Sequence, residues 1–294
     1  MNIKWDKEHG EILSDFLKRL SENNIRWFIL RGYEGLPNKN QSKDVDIMIE
    51  VGKRTIAENL LKLTLKKYKL EYLHSDQFGH IYCYVAMNTV KQMSIHIDLI
   101  EGYISKGYEV FTFEELWSHV TNYNGLNVLD DFMNGIMLLV YKIFGYHHAK
   151  LKPAYKTDIL KAQQKFPKEF KDILLMIAGN DLGLRINDLI SKSDFEAVLA
   201  LEPEFTKALK RYTWKKRPVK TISYVWEFVS QKVSRIVFHY KKYAKTFAVM
   251  APDGTGKTTF LDAILEQLNF YYVNNPEDNR FHLYHFRPSL LPNL

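Results

Sequence analysis

The sequence predicts an α/β chain in which an α+β N-terminal domain and a helical middle region precede the opening unit of a second α/β domain. Three patterns predict it. Between residues 26 and 100, apolar runs and period-two alternation mark strands, with a helix-period stretch among them. From about 129 to 209 the apolar spacing is helical throughout. Beyond 245 an apolar run leads into a glycine-rich loop and another helix-period stretch.

Taken in order, residues 8–22 carry one apolar helical face, 26–30 form an apolar run, and 32–43 are rich in turn formers. Residues 44–51 alternate as a strand, 54–68 return to helical spacing, and 80–86 and 94–100 are the next strands. Asp130 and Asp131 stand where they can cap a helix over 132–146. A strand at 246–250 and a helix at 257–268 flank the glycine-rich loop. The expected parts are therefore residues 1–125, a helical region at 126–210, a basic amphipathic connecting helix at 211–245, and residues 246–294.

Composition removes several classes. With 294 residues, 46% of them hydrophobic, and only 14 Gly and 9 Pro, the chain can bury a large core, which excludes disordered and collagen-like readings. Its single cysteine, Cys83, cannot close an intramolecular disulfide, and no Cys/His cluster has zinc-ligand spacing. His80, His96, His147 and His148 are scattered, and the adjacent pair His147-His148 is expected to end a helix rather than bind metal. The N-terminus lacks a basic stretch followed by an apolar one, and Asn134 and Lys142 interrupt the most apolar helix. A reducing cytoplasm is the expected location.

Charge is concentrated. Residues 205–245 hold 12 Lys and Arg against Glu227 alone, more than the whole net charge of +7, so the remainder is mildly acidic. Within that segment Ile222, Val225, Trp226, Val229, Val233, Ile236, Val237 and Tyr240 share one helical face, flanked by Lys232, Arg235, Lys241 and Lys242. This pattern predicts a helix packed on a neighbouring domain with a solvated basic side. The alternative partner is an anionic membrane surface met through 205–245, which would place the chain at the inner face of the membrane. No nucleic-acid partner is expected, because no binding motif accompanies the charge.

Two constellations carry chemistry. Asp44 and Asp46, two residues apart in a strand, project from one face while Val45 and Ile47 turn to the other. Asp98 lies on a second strand, within His96-Ile97-Asp98-Leu99. Neighbouring strands are about 5 Å apart, so pairing in register would let the three carboxylates share one or two hard cations. This is a magnesium site in outline, and nucleotidyl transfer needs one to neutralise a triphosphate and stabilise the departing pyrophosphate. A solvent-facing acidic pair is the plainer alternative.

The run Leu30-Arg31-Gly32-Tyr33, then Asp44-Val45-Asp46-Ile47 after ten residues, and Ile97-Asp98-Leu99 beyond, resembles the pattern of the DNA polymerase beta-like nucleotidyltransferase superfamily. The resemblance covers about the first 125 residues. It implies that Asp44 and Asp46 ligate metal, that Asp98 completes the site and helps activate an acceptor hydroxyl, and that Gly32 opens the backbone toward the triphosphate. Tyr33 stands where that family usually has Ser or Gly.

The second constellation is Ala251-Pro252-Asp253-Gly254-Thr255-Gly256-Lys257-Thr258-Thr259, placed between an apolar strand and a helix as a P-loop requires. Gly254 and Gly256 tolerate the dihedrals that turn backbone N–H groups inward, and the helix presents its positive end to phosphates. Lys257 would reach the β- and γ-phosphates of ATP, and Thr258 would hold Mg2+. The loop resembles that of thymidylate kinases and related nucleoside-monophosphate kinases, which implies that Asp253 faces the acceptor's sugar. Arg287-Pro288 is similar to that family's Arg-Glu-Pro, whose arginine grips the acceptor phosphate. Residues 246–294 number 49, too few for a kinase sheet built from several βαβ units, so the chain is expected to be a truncated form of a longer protein.

The order of parts resembles bifunctional kinases of bacterial surface-polysaccharide loci, which implies a cytoplasmic transferase using ATP and Mg2+ on a small-molecule or glycan-type acceptor. The leading expectation is thus a phosphotransferase architecture fused to a nucleotidyltransferase-like domain. The alternatives are nucleotidyl transfer at the N-terminal aspartates and a non-enzymatic, nucleotide-binding or membrane-tethered scaffold.

Overall fold

The structure, a computed structural model, describes residues 5–40, 44–78, 80–88, 90–91, 93–145, 151–238, 256 and 258–263. Helix α1 (Lys7–Glu22) begins at Asp6, whose carboxylate accepts the His9 N–H while the His9 ring accepts the Asp6 N–H. Its Ile12, Leu13, Phe16, Leu17 and Leu20 recur at helical spacing, and all are buried. Strand β1 (Trp27–Ile29) follows, then β2 (Val45–Ile49), helix α2 (Arg54–Lys67), and the strands β3 (Glu71–Phe78), β4 (Ile81–Asn88) and β5 (Met93–Glu101). Two short strands, β6 (Ile104–Ser105) and β7 (Tyr108–Glu109), pair with each other. Helix α3 (Phe113–Trp117) precedes the hairpin of β8 (Val120–Tyr123) and β9 (Leu126–Leu129).

Seven of these strands form one mixed sheet in the order β3-β4-β5-β2-β1-β9-β8. The β2–β5 and β1–β9 pairs are parallel and the other pairs antiparallel. The sheet separates two cores. Ile29, Val45, Ile47, Ile49, Ile97 and Leu99 face the core shared with α1 and α2. Phe28, Leu30, Met48 and Ile100 face the core that continues into the helical region. Period-two alternation along β2 and β5 therefore turns Asp46 and Asp98 to this second face.

The helical region comprises α4 (Asp131–Gly145), α5 (Pro153–Lys165), α6 (Pro167–Ala178), α7 (Asn180–Ser191), α8 (Phe195–Ala200) and α9 (Glu202–Lys216). Helices α4 and α5 touch at Gly135, where a side chain's Cβ would fall 2.3 Å from the Cβ of Ala162.

The basic segment differs from its expected form in two ways. First, it is broken: α9 ends at Lys216 and α10 (Pro218–Phe238) begins after Arg217, which adopts φ −142° and ψ 63°. The ring of Pro218 disfavours a helical residue before it. Second, the helical face expected to pack is largely the outer one. Ile222, Val229 and Val233 are exposed and Trp226 is 73% exposed. Of that face Val225 is half-buried, and the inner side adds buried Thr221 and half-buried Tyr224. Val225 lies under the β6–β7 turn, so close that a Cβ on Gly107 would come within 2.7 Å of its Cα. Hydrophobic periodicity identified the amphipathic helix, but neighbours selected which residues it buries. The side chains of Ile236 and Val237, and all of Tyr240, lie outside the described residues.

Glu115 of α3 joins the sheet to this break. Its Oε1 accepts a hydrogen bond from Lys216 Nζ at 2.6 Å and its Oε2 one from Arg217, which also donates to the carbonyl oxygens of Glu109 and Val110. Burial works against the carboxylate, but Lys216, the Thr112 N–H and Arg217 outweigh it and hold the Glu115 pKa down at about 2, against an ordinary 4.5. A depressed carboxyl contributes stability that is complete above its unfolded pKa and lost as pH falls toward the folded one. Glu115→Gln should therefore lower the melting temperature at neutral pH, and its gap from the unsubstituted chain should close between pH 4.5 and 2. A gap independent of pH would mean that the contact is not electrostatic.

Candidate active site

Strand β1 delivers the first side chain of the site. Beyond Ile29 the chain stays paired to β2, with the Leu30 N–H donating to the Asp46 carbonyl at 3.0 Å, so Arg31 arrives beside the Asp46 side chain. Its Nε donates to Asp46 Oδ2 at 2.6 Å. Gly32 follows at φ +67°, a backbone setting that L side chains rarely adopt, and a Cβ there would meet nothing within 4 Å. The bare backbone thus borders open space at the end of β1.

Parallel pairing of β2 with β5 places Asp46 opposite Asp98. With Asp44 just ahead of β2, the three aspartates each offer a carboxylate oxygen within 4.8 Å of the other two. The structure therefore brings together the three acids that the sequence singled out. Asp46 and Asp98 are buried and Asp44 is half-buried.

Such a cluster repels itself. Burial first, then the charges of Asp44 and Asp98, push the Asp46 carboxyl above its usual pKa against the pull of Arg31. Conversely, burial opposes the charge on Arg31, but Asp46 prevails and raises its pKa further. His96, two residues before Asp98 on the same face of β5, has Nε2 at 2.9 Å from Asp98 Oδ1. Burial disfavours its imidazolium, yet the Asp98 carboxylate beside it raises the pKa above that of an ordinary histidine.

Arg31 pairs with Asp46 and His96 with Asp98. Three converging carboxylates still present oxygen ligands of the kind a hard divalent cation takes, and Asp44, Asp46 and Asp98 would hold it.

Sequence reasoning assigned no role to Arg31 or His96. Both carried a usable signal: Arg31 precedes the glycine of the first motif, and His96 stands two residues before an acid in a strand, hence on its face. Tyr33 packs edge-on against Tyr123 of β8 at 5.2 Å. Burial, with Glu34, Asp131 and Asp158, pushes its pKa up to about 12, so its hydroxyl stays protonated.

A cavity of about 20 Å³ adjoins Arg31, bounded by Leu30, Tyr103, Asn134, Met137 and Tyr141. It has room for roughly one water.

In comparisons with known proteins, no family model and no curated protein matches the chain. Among solved structures it is similar to JHP933 from Helicobacter pylori, with 13% identity, coverage of 79% of this chain and 97% of that one, and a TM-score of 0.37. It is also similar to an antigenic nucleotidyltransferase-like protein from Paracoccidioides brasiliensis, with 18% identity, coverage of 70% and 94%, and a TM-score of 0.31.

Most of the second constellation, Asp253, Gly254, Thr255, Lys257 and Arg287, lies outside the described residues. Gly256 has φ +79°, and residues 258–263 are helical, with the Phe260 N–H donating to the Gly256 carbonyl at 2.9 Å. Thr258 and Thr259 are exposed. Among the described residues, no helix is long and apolar enough to cross a membrane.

Proposed function

We infer that the chain transfers a nucleotidyl group from a nucleoside triphosphate to a hydroxyl on a small-molecule or glycan-type acceptor. The observation that carries this reading is the convergence within 4.8 Å of Asp46 and Asp98, on adjacent parallel strands, and Asp44, just ahead of the first of them. A bound Mg2+ would supply charge neutralisation for the triphosphate and the departing pyrophosphate. Arg31 holds Asp46 in one orientation through their 2.6 Å bond. Asp98, buried and converging with Asp44 and Asp46, would take the acceptor's proton on a carboxylate oxygen. The acceptor oxygen then bonds the α-phosphorus as the bond to pyrophosphate breaks. Gly32, bare and facing open space, leaves its backbone accessible to phosphate oxygens.

The test is incorporation of labelled nucleotide from each of the four NTPs with Mg2+ and a panel of glycan and small-molecule acceptors. Incorporation that disappears in Asp46→Asn supports the reading. Neither incorporation nor pyrophosphate release with any NTP would overturn it.

A second reading, phosphotransfer from ATP, draws on residues 251–259 and on the positive φ of Gly256 where the helix starts. It predicts that Lys257→Ala loses ATP binding while label transfer at the aspartates continues. Equal ATP affinity in both proteins, read by calorimetry, would remove it.

A further inference from the structure

Strands β4 and β5 pair antiparallel with Cys83 opposite Asp98, and His96 shares the Asp98 face of β5. Cys83 Sγ, an imidazole nitrogen of His96 and a carboxylate oxygen of Asp98 consequently lie within 4.8 Å of one another.

The ligand atoms themselves carry a second, independent sign. His96 Nε2 and Asp98 Oδ1 are buried and 2.9 Å apart as an ion pair, and neither has a further hydrogen-bond partner among the described residues. Asp98 as a whole is only 7% exposed. Two atoms each about 2.0–2.1 Å from one ion, at angles from square to tetrahedral, lie roughly 2.9–3.4 Å apart. The observed separation falls in that interval.

We propose that Cys83, His96 and Asp98 form a second cation site, for a borderline-soft divalent metal of the zinc class, which shares Asp98 with the aspartate cluster. Thiolate and imidazole ligands favour Zn2+, Co2+ or Ni2+ over Mg2+, whereas the three aspartates favour the harder ion. On binding, the sulfur–metal bond forms as the thiol proton leaves to solvent. Three protein ligands leave a fourth position for water. An ion held here draws on a carboxylate that the harder site also uses, so the two ions are coupled through Asp98. The site stands on its own geometry, whether or not the aspartates transfer nucleotides.

The experiment is Co2+ titration of the full chain, followed by absorbance. Cobalt bound to a thiolate gives an intense near-ultraviolet charge-transfer band that oxygen and nitrogen ligands do not, and Cys83 is the sole cysteine. The expected result is such a band in the unsubstituted chain, saturating at a single ion, bleached by equimolar Zn2+ and retained in excess Mg2+. Cys83→Ser should abolish it, and His96→Gln should weaken cobalt binding at least about tenfold. The absence of a thiolate band in the unsubstituted chain would overturn the proposal, and so would a band whose affinity ignores His96→Gln. Neither outcome depends on label incorporation, so failure of this site and failure of the transferase reading are told apart.

Discussion

Asp98→Asn is expected to reduce nucleotide incorporation by about 100-fold or more while the melting temperature falls less than in Asp46→Asn. The two effects separate because of what Asp98 touches. Its Oδ1 lies 2.9 Å from His96 Nε2, so a carboxamide of the same shape keeps the contact but loses its charge, a loss offset by relief from the neighbouring carboxylates. What the substitution removes is one of three converging negative charges, together with the atom placed to accept the acceptor's proton. Asp46→Asn should behave differently, because it also dissolves the Arg31 pair and so lowers stability along with activity. The comparison is made by single-turnover incorporation and thermal unfolding on the same preparations. Full activity in Asp98→Asn would place the chemistry elsewhere in the chain.

The second large effect concerns Arg31, whose side chain is 24% exposed against 7% for that of Asp46. Arg31→Met should cost about 3–5 kcal/mol of folding stability, since it leaves Asp46 buried between two further carboxylates without its counter-charge. Methionine retains much of the apolar stem, so lost packing is the smaller part. In a double-mutant cycle, adding Asp46→Asn should recover a substantial part of the loss, because the buried charge is then gone. Excess Mg2+ should stabilise Arg31→Met more than it stabilises the unsubstituted chain, as a cation takes over the duty of the guanidinium. Additive losses in the cycle, measured by denaturant unfolding, would show that the pair is not what holds Asp46.

Much of this arrangement is legible in the amino-acid order. Period-two alternation in Asp44-Val45-Asp46-Ile47 and in His96-Ile97-Asp98-Leu99 already assigns the acids to one face and the aliphatics to the other, because each apolar set must be buried. The helical spacing of Ile12, Phe16 and Leu20 likewise announces α1. Strand β3 was not legible: its sequence, Glu71 to Phe78, is largely polar, as an edge strand paired only to β4 can be. The hairpin of β8 and β9 also escaped notice, since each strand has only four residues and β8 is largely exposed.

The outward stripe of α10 shows the same limit in a helix. Spacing placed Ile222, Val225, Trp226, Val229 and Val233 on one side, but the β6–β7 turn lies against Val225 and the other four stay exposed. A helix can be amphipathic by sequence and still be anchored by only the edge of its apolar face.

By itself the sequence determined which residues share a face, the three acids being the clearest case, because the alternation that places them is a property of adjacent positions in one strand. Only the tertiary structure decided which strands meet and in what register. The parallel pairing of β2 with β5 set Asp46 against Asp98, and the antiparallel pairing of β4 with β5 brought the lone cysteine to the same carboxylate. Register between strands depends on turns and on the packing of both sheet faces, and those forces act between residues far apart in the chain.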